Sequence, residues 1–351
     1  MKTVLHNDRK HRSLGVRCTS ISAYLFRLFV GCAVICTVRF VPSVTLADDT
    51  DIPVTTSVIE PADVFVHIKL VNKELEHLRF VMGRPKNDQP ELDVTNAAPR
   101  EVFFQALTLF RKADRLSFEY TRQYGEEPEI PSENIETATV FNTVDAALER
   151  LRSVKQRLGI SYRATPSSPA PSHTPPHVFR EIVQANRQLN LLLDRQFSPA
   201  DVYQQVTAAV GYASQVLAQF PEATRLPAVP KFIPGKQPTD VYQRLTVCLE
   251  RVRRISEISG QNMLTLTVTE EQWAVATSSD VYDVASLLVS ELAFLHSQLP
   301  NAKMPRRVVH PGRRFPSHVY QRAGLLERQL MELEHCVTAQ PDWLQSDSTE
   351  P

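Results

Sequence analysis

Ser198-Pro199-Ala200-Asp201-Val202-Tyr203 holds the pattern that decides the fold: a helix-start signal, then Val, then an aromatic. The pattern recurs eight times. The first four copies are Pro61-Ala-Asp-Val-Phe65, Pro99-Arg-Glu-Val-Phe103, Thr137-Ala-Thr-Val-Phe141 and Pro175-Pro-His-Val-Phe179. The last four are Pro199-Ala-Asp-Val-Tyr203, Pro238-Thr-Asp-Val-Tyr242, Ser278-Ser-Asp-Val-Tyr282 and Pro316-Ser-His-Val-Tyr320. The Val residues stand at 64, 102, 140, 178, 202, 241, 281 and 319, with steps of 38, 38, 38, 24, 39, 40 and 38. A fixed period of this size marks a repeat architecture.

Counted from each Val, offsets +4, +7, +11 and +14 are apolar in every copy. The first gives Ile68, Val71, Leu75 and Leu78, the sixth Leu245, Cys248, Val252 and Ile255, and the eighth Ala323, Leu326, Leu330 and Leu333. Alternating steps of four and three place side chains on one stripe of an α-helix, the seam along which helices pack lengthwise. A strand would need period two, and these windows lack it. Pro three residues before the Val needs no amide partner at N1, and Asp or Glu one before it suits the positive helix end. Ser198 and Thr174 stand where an N-cap is required. Each helix is expected to run about 22 residues, roughly 33 Å.

Most of these helices are separated by about 16 residues rich in Pro and polar groups, such as 83–98 and 300–315. Sixteen extended residues reach roughly 50 Å, enough to return along a whole helix. Such segments read as outer straps that let successive helices run parallel, anchored by Leu92, Val94, Ile130, Phe232, Ile233, Trp273 and Val308. A short helix inside a strap is the competing reading, with 269–275 the best candidate. The 24-residue step divides the array into four plus four, and the aromatic changes from Phe to Tyr at that point. The expected fold is all-α: an eight-helix repeat array, one long helix and one Pro-rich strap per unit, arranged as two packed bundles or a short solenoid.

Residues 1–47 read as a secretory signal: Lys2, Arg9, Lys10, Arg12 and Arg17, an apolar run 28–38, then Ser43-Val-Thr-Leu-Ala47. The run is too short to span a bilayer, so no transmembrane anchor is expected after cleavage. Phe29-Val30-Gly31-Cys32 resembles a lipobox, which leaves lipidation at Cys32 as an alternative. The further divisions are a linker 48–60, four-helix units 61–197 and 198–337, and a disordered tail 338–351. Setting aside the leader's seven basic and one acidic residues leaves 32 basic against 38 acidic, the wrong balance for a nucleic-acid binder. Cys248 and Cys336 are the cysteines left after cleavage; a bond between them is conceivable in an oxidising compartment but the repeat does not require it.

Two Glu-x-x-His pairs, Glu74 with His77 and Glu332 with His335, lie beside the seam and lack matching inward Glu, so they read as solvated helix face rather than a metal site. There is no Gly-rich phosphate loop, H-E-x-x-H or G-x-S-x-G motif, and no cofactor or metal is implied. Two sets of residues are candidates for binding. The last strap is basic, with Lys303, Arg306, Arg307, His310, Arg313 and Arg314, while the second is acidic, with Glu126, Glu127, Glu129, Glu133 and Glu136. Their separation in sequence suggests a molecule polarised along the array, unless the straps complement each other or neighbouring faces. The second candidate is the row Tyr203, Tyr242, Tyr282 and Tyr320, which parallel helices would gather at one end.

The expected function is an exported, most plainly periplasmic, non-catalytic scaffold that binds another envelope protein or an anionic envelope component. A small-ligand or lipid-binding bundle is the alternative, using room beside Ala106, Ala113, Ala209 and Ala213; an enzyme comes third. Oligomeric state is not legible.

Overall fold

The structure is a computed structural model that describes residues 58–131, 135–166, 173–194, 196–300, 305–306 and 311–344. The leader 1–47 and most of the linker 48–60 lie outside the described residues. The elements in chain order are α1 (Pro61–Val81), β1 (Asp93–Thr95), α2 (Pro99–Thr121), α3 (Thr137–Arg157), α4 (Pro175–Leu192), α5 (Pro199–Leu217), α6 (Pro238–Ile258), β2 (Thr265–Thr267), α7 (Glu270–Ala274), α8 (Ser278–Ser297) and α9 (Pro316–Ala339). Each of the eight phrases opens one of the long helices.

The N3 side chain explains why Asp, Glu or His precedes the Val. Asp63 accepts from the Glu60 amide at 2.8 Å, Glu101 from Ala98 at 2.9 Å, and Asp201 from Ser198 at 2.7 Å. Asp240 and Asp280 do the same for Gln237 and Thr277. His177 and His318 reproduce the bond through Nδ1, each at 3.2 Å. The apolar seam behind these starts is dry: Val and offsets +4, +7, +11 and +14 are all 2 % exposed or less in every long helix. Each Val, Leu or Ile among them contributes about 1.5–3 kcal/mol by leaving water, and each Ala less.

Helices α1–α4 form one four-helix bundle and α5, α6, α8 and α9 a second. Around the first the neighbours run α1–α3–α2–α4, and around the second α5–α8–α6–α9, the same order counted along each half. Pro61, Pro99, Thr137 and Pro175 meet at one end of the first bundle, over Val64, Val102, Val140 and Val178. Pro199, Pro238, Ser278 and Pro316 meet likewise over the corresponding valines of the second. All four helices of each bundle are therefore parallel, an arrangement that adds their dipoles at each end and makes the acidic N3 residues useful. The bundles join through α2 and α8, which cross antiparallel: Arg100 near the start of α2 bonds Glu291 late in α8, and Lys112 further along α2 bonds Asp283 near the start of α8. A solenoid is thereby excluded.

The straps return along helices, held by side chains that grip their backbone as well as by apolar anchors. The strap 82–98 lies on α4, where Gln188 donates to Pro85 O at 3.2 Å and Arg187 to Pro90 O at 2.7 Å. The strap 218–237 lies on α9, where Gln329 donates to Arg225 O and Arg328 to Ala228 O, both at 2.7 Å. The same Arg-Gln pair, at offsets +9 and +10 of the fourth helix in each bundle, thus clamps the first strap of that bundle. Leu92 and Val94 are buried as expected, but Ile130, Phe232 and Ile233 are exposed, and Val308 lies outside the described residues. Gly211 and Gly324 sit mid-helix where neighbours press close: a Cβ would lie 3.1 Å from Pro305 at Gly211, and 2.8 Å from the Arg244 guanidinium and 3.2 Å from Pro230 at Gly324.

The second strap of the second bundle contains both readings. It carries β2, paired antiparallel with β1 of the other bundle in the register Val94 to Leu266, and then the short helix α7. Thr269 caps α7, its amide bonded to Gln272 Oε1 at 2.9 Å, and Gln272 in turn donates to Glu91 O. The C-terminal segment departs from expectation. Helix α9 continues to Ala339, and Trp343 packs 5.5 Å from the Phe220 ring while its indole donates to Ser259 Oγ at 2.9 Å. Residues 345–351 lie outside the described residues.

Candidate functional site

A groove of about 810 Å³ opens between the bundles. Its first wall is α2 and the acidic strap, with Phe104, Leu107, Arg111, Glu127, Glu129 and Ile130. Its second wall is α5 and α8, with Gln204, Gln205, Ala208, Tyr212, Tyr282 and Val289; Phe197 and Pro305-Arg306 of the basic strap complete it. Arg111 holds the acidic strap in place through Glu127, at 2.8 and 2.5 Å. Among the described residues of the acidic and basic straps, Glu127, Glu129 and Arg306 line one groove.

Of the basic strap, Lys303, Arg307 and His310 lie outside the described residues. Arg306 is exposed on the groove. Arg314 instead lies 4.7 Å over the Tyr203 ring and Arg313 5.1 Å over Phe315, so these two pack on their own bundle. Three of the four tyrosines of the row lean on a neighbouring helix. Tyr203 accepts from Arg322 of α9 at 2.8 Å, and Tyr282 accepts from Gln205 of α5 at 3.1 Å. The Tyr320 ring carries the Arg244 guanidinium at 3.9 Å. Arg322, Gln205 and Arg244 all stand at offset +3; in the first bundle Phe141 stacks on His67, also at +3, with centroids 4.5 Å apart, whereas Phe65 stacks on His173 of a strap. Burial pushes Tyr242 up to about 12, with Asp280 adding to the effect, and raises Tyr282 as well. Tyr282 is the member of the row that reaches the groove, its ring 4.1 Å from Phe197.

The polar position that sequence reasoning missed is offset +10, next to the seam. It holds Glu74, Lys112, Arg150, Gln188, Arg251, Glu291 and Gln329, with Tyr212 the exception. Glu74 is fully buried rather than solvated: it pairs with Lys155 of α3 and accepts from the Ala164 amide of the strap 158–174 at 3.0 Å. Arg150 donates to Ser117 Oγ and Gln123 O. Lys112 bonds both oxygens of Asp283, at 2.7 and 3.0 Å, and burial raises that carboxyl against the pull of the lysine. Arg100 bridges Glu101 at 3.0 Å and Glu291 at 2.9 Å under the Phe294 ring. Burial, opposed by Arg100 and reinforced by the Glu101 charge, pushes Glu291 up to about 8. The signal was present as seven polar residues in eight at one offset, but flanking polar faces look alike until the straps cover them.

These charged groups fasten helices to straps and one bundle to the other. No group of three or more metal-ligating side chains occurs among the described residues. Glu332 accepts from the Thr224 amide at 3.3 Å and His335 is exposed, so the second Glu-x-x-His pair faces a strap and solvent. Cys248 and Cys336 are free thiols; burial raises both. Among the described residues, no helix is long and apolar enough to cross a membrane. Comparison with known protein families, with curated proteins and with solved structures finds no match.

Proposed function

We propose that this chain is an exported, non-catalytic helical scaffold that grips a segment of another envelope protein in the groove between its bundles. The observation that carries this reading is the groove itself: Phe104, Leu107, Phe197, Tyr212 and Tyr282 alternate with Gln204, Gln205 and Ser286, and charges of both signs border them, Glu127 and Glu129 with Arg111 on one side and Arg306 with Asp201 on the other. Such a site recognises an extended segment with apolar side chains and charges of both signs, burying the first and steering with the second. The bundle interiors offer less. Ala106, Ala113, Ala209 and Ala213 are fully buried, and the openings that touch the seam are apolar dimples of about 10 Å³, which favours the outer groove over an interior ligand cavity.

The test is affinity capture of tagged protein from the envelope after crosslinking, with mass spectrometry of what copurifies. A stoichiometric partner that is lost in Arg306→Glu and in Glu127→Lys/Glu129→Lys supports the scaffold. A reproducible lipid or small molecule with no protein partner contradicts it.

A further inference from the structure

The C-terminal ends of the two bundles are built alike, but one of them is covered. In the second bundle Trp343 sits on Phe220 and Ser259, both at offset +18 from the valines of α5 and α6. In the first bundle the same offset holds Met82, Tyr120 and Leu158, and those three residues, with Val81, Gly83 and Arg84, line an open pit of about 320 Å³. The residues around it are more apolar than the surface needs. Phe80 is 76 % exposed and Val81 49 %, where the second bundle has Ala218 and Gln219. Three exposed cations flank the pit in sequence: Lys86, Arg122 and Arg157.

We propose that this pit is a docking seat for an indole carried on an acidic segment of a partner protein. The indole is assigned because the twin seat already holds one. That seat's occupant also defines the flanking chemistry, since Asp342 precedes Trp343 and Asp347 and Glu350 follow it; negative charge of that kind suits the exposed Lys86, Arg122 and Arg157, while Arg84 in the lining is already paired with Asp194 and Tyr120 also feels Asp194 and Glu119. A single aromatic anchor in a preformed pit, ringed by weaker contacts, is how most interface energy is concentrated. The seat lies on the first bundle alone and is independent of the groove.

The probe is a fluorescein-labelled peptide with the sequence of residues 339–351, titrated with the full chain and read by fluorescence anisotropy. We expect saturable binding that weakens about tenfold or more when the peptide Trp becomes Ala, the loss of one anchor side chain. Leu158→Arg in the protein separates the seat from mere charge attraction: it removes an apolar wall but adds a cation, so the seat predicts weaker binding and electrostatic adsorption predicts stronger. Leu158 is at a helix end, and circular dichroism checks that the variant stays folded. Binding unchanged or strengthened by Leu158→Arg, or absent up to about 1 mM peptide, overturns the proposal. Dimerisation of the full chain that vanishes in Trp343→Ala would give the seat to a second copy and overturn it equally.

Discussion

The two bundles share a ring order, a common helix direction, an Arg-Gln clamp on the first strap and a dry seam, yet they differ wherever they meet solvent. The first bundle carries Phe at the helix starts, the acidic strap and an open C-terminal pit. The second carries Tyr, the basic strap and an end closed by Trp343. What is common serves packing: a buried stripe and a set of side chains that give the strap carbonyls partners they cannot find among themselves. What differs lies on the groove and on the ends. Function is therefore to be sought in the divergent surfaces, and the shared features predict stability.

The largest effect is expected at offset +10. Lys155→Ala leaves Glu74 buried without its cation and should cost about 3–5 kcal/mol in chemical denaturation, whereas the exposed Glu149→Ala in the same helix should cost under about 0.5 kcal/mol. Equal losses would mean that the buried pair does not fasten the strap.

The next effect is a pH dependence at the bundle contact. Glu291 holds its proton in the folded state up to about 8, while the unfolded chain releases it in the ordinary carboxylate range. Between those limits the native state binds the extra proton, so this group makes stability fall as pH rises towards 8. Melting temperature measured from about pH 5 to about pH 9 should decline less steeply in Glu291→Gln. An unchanged slope would sink this assignment.

Smaller effects separate the seam from the aromatic row. Val281→Ala truncates a buried stripe residue and should cost about 1–2 kcal/mol. Tyr203→Phe removes the hydroxyl that accepts from both Nε and Nη2 of Arg322 and should cost about 0.5–1.5 kcal/mol, with Tyr320→Phe smaller still because the ring keeps its contact with Arg244. The reverse ranking would contradict the reading of Val as seam and the aromatic as a contact to the next helix.

The helices were legible because their two signals are local and redundant: Pro199 and Asp201 mark a start, and Val202, Val206, Ala209, Ala213 and Val216 mark a face. The parallel direction was legible from strap length alone. The covering of offset +10 was not, since Glu74 reads as surface until the segment 158–166 is laid over it. The groove was half legible. The charge runs containing Glu127 and Arg306 stand out in the sequence, but their meeting depends on the antiparallel joining of α2 and α8, which Lys112 and Asp283 fix across 171 residues of chain.

The most direct test of the groove as the working face is a photocrosslinker placed at Ala208, on its wall, and another at Thr246, which lies outside it. Irradiation in the native envelope should give a discrete protein adduct from position 208 that disappears in Arg306→Glu, with no matching adduct from position 246. The same adduct from both positions, or none from position 208, would contradict a protein-binding groove.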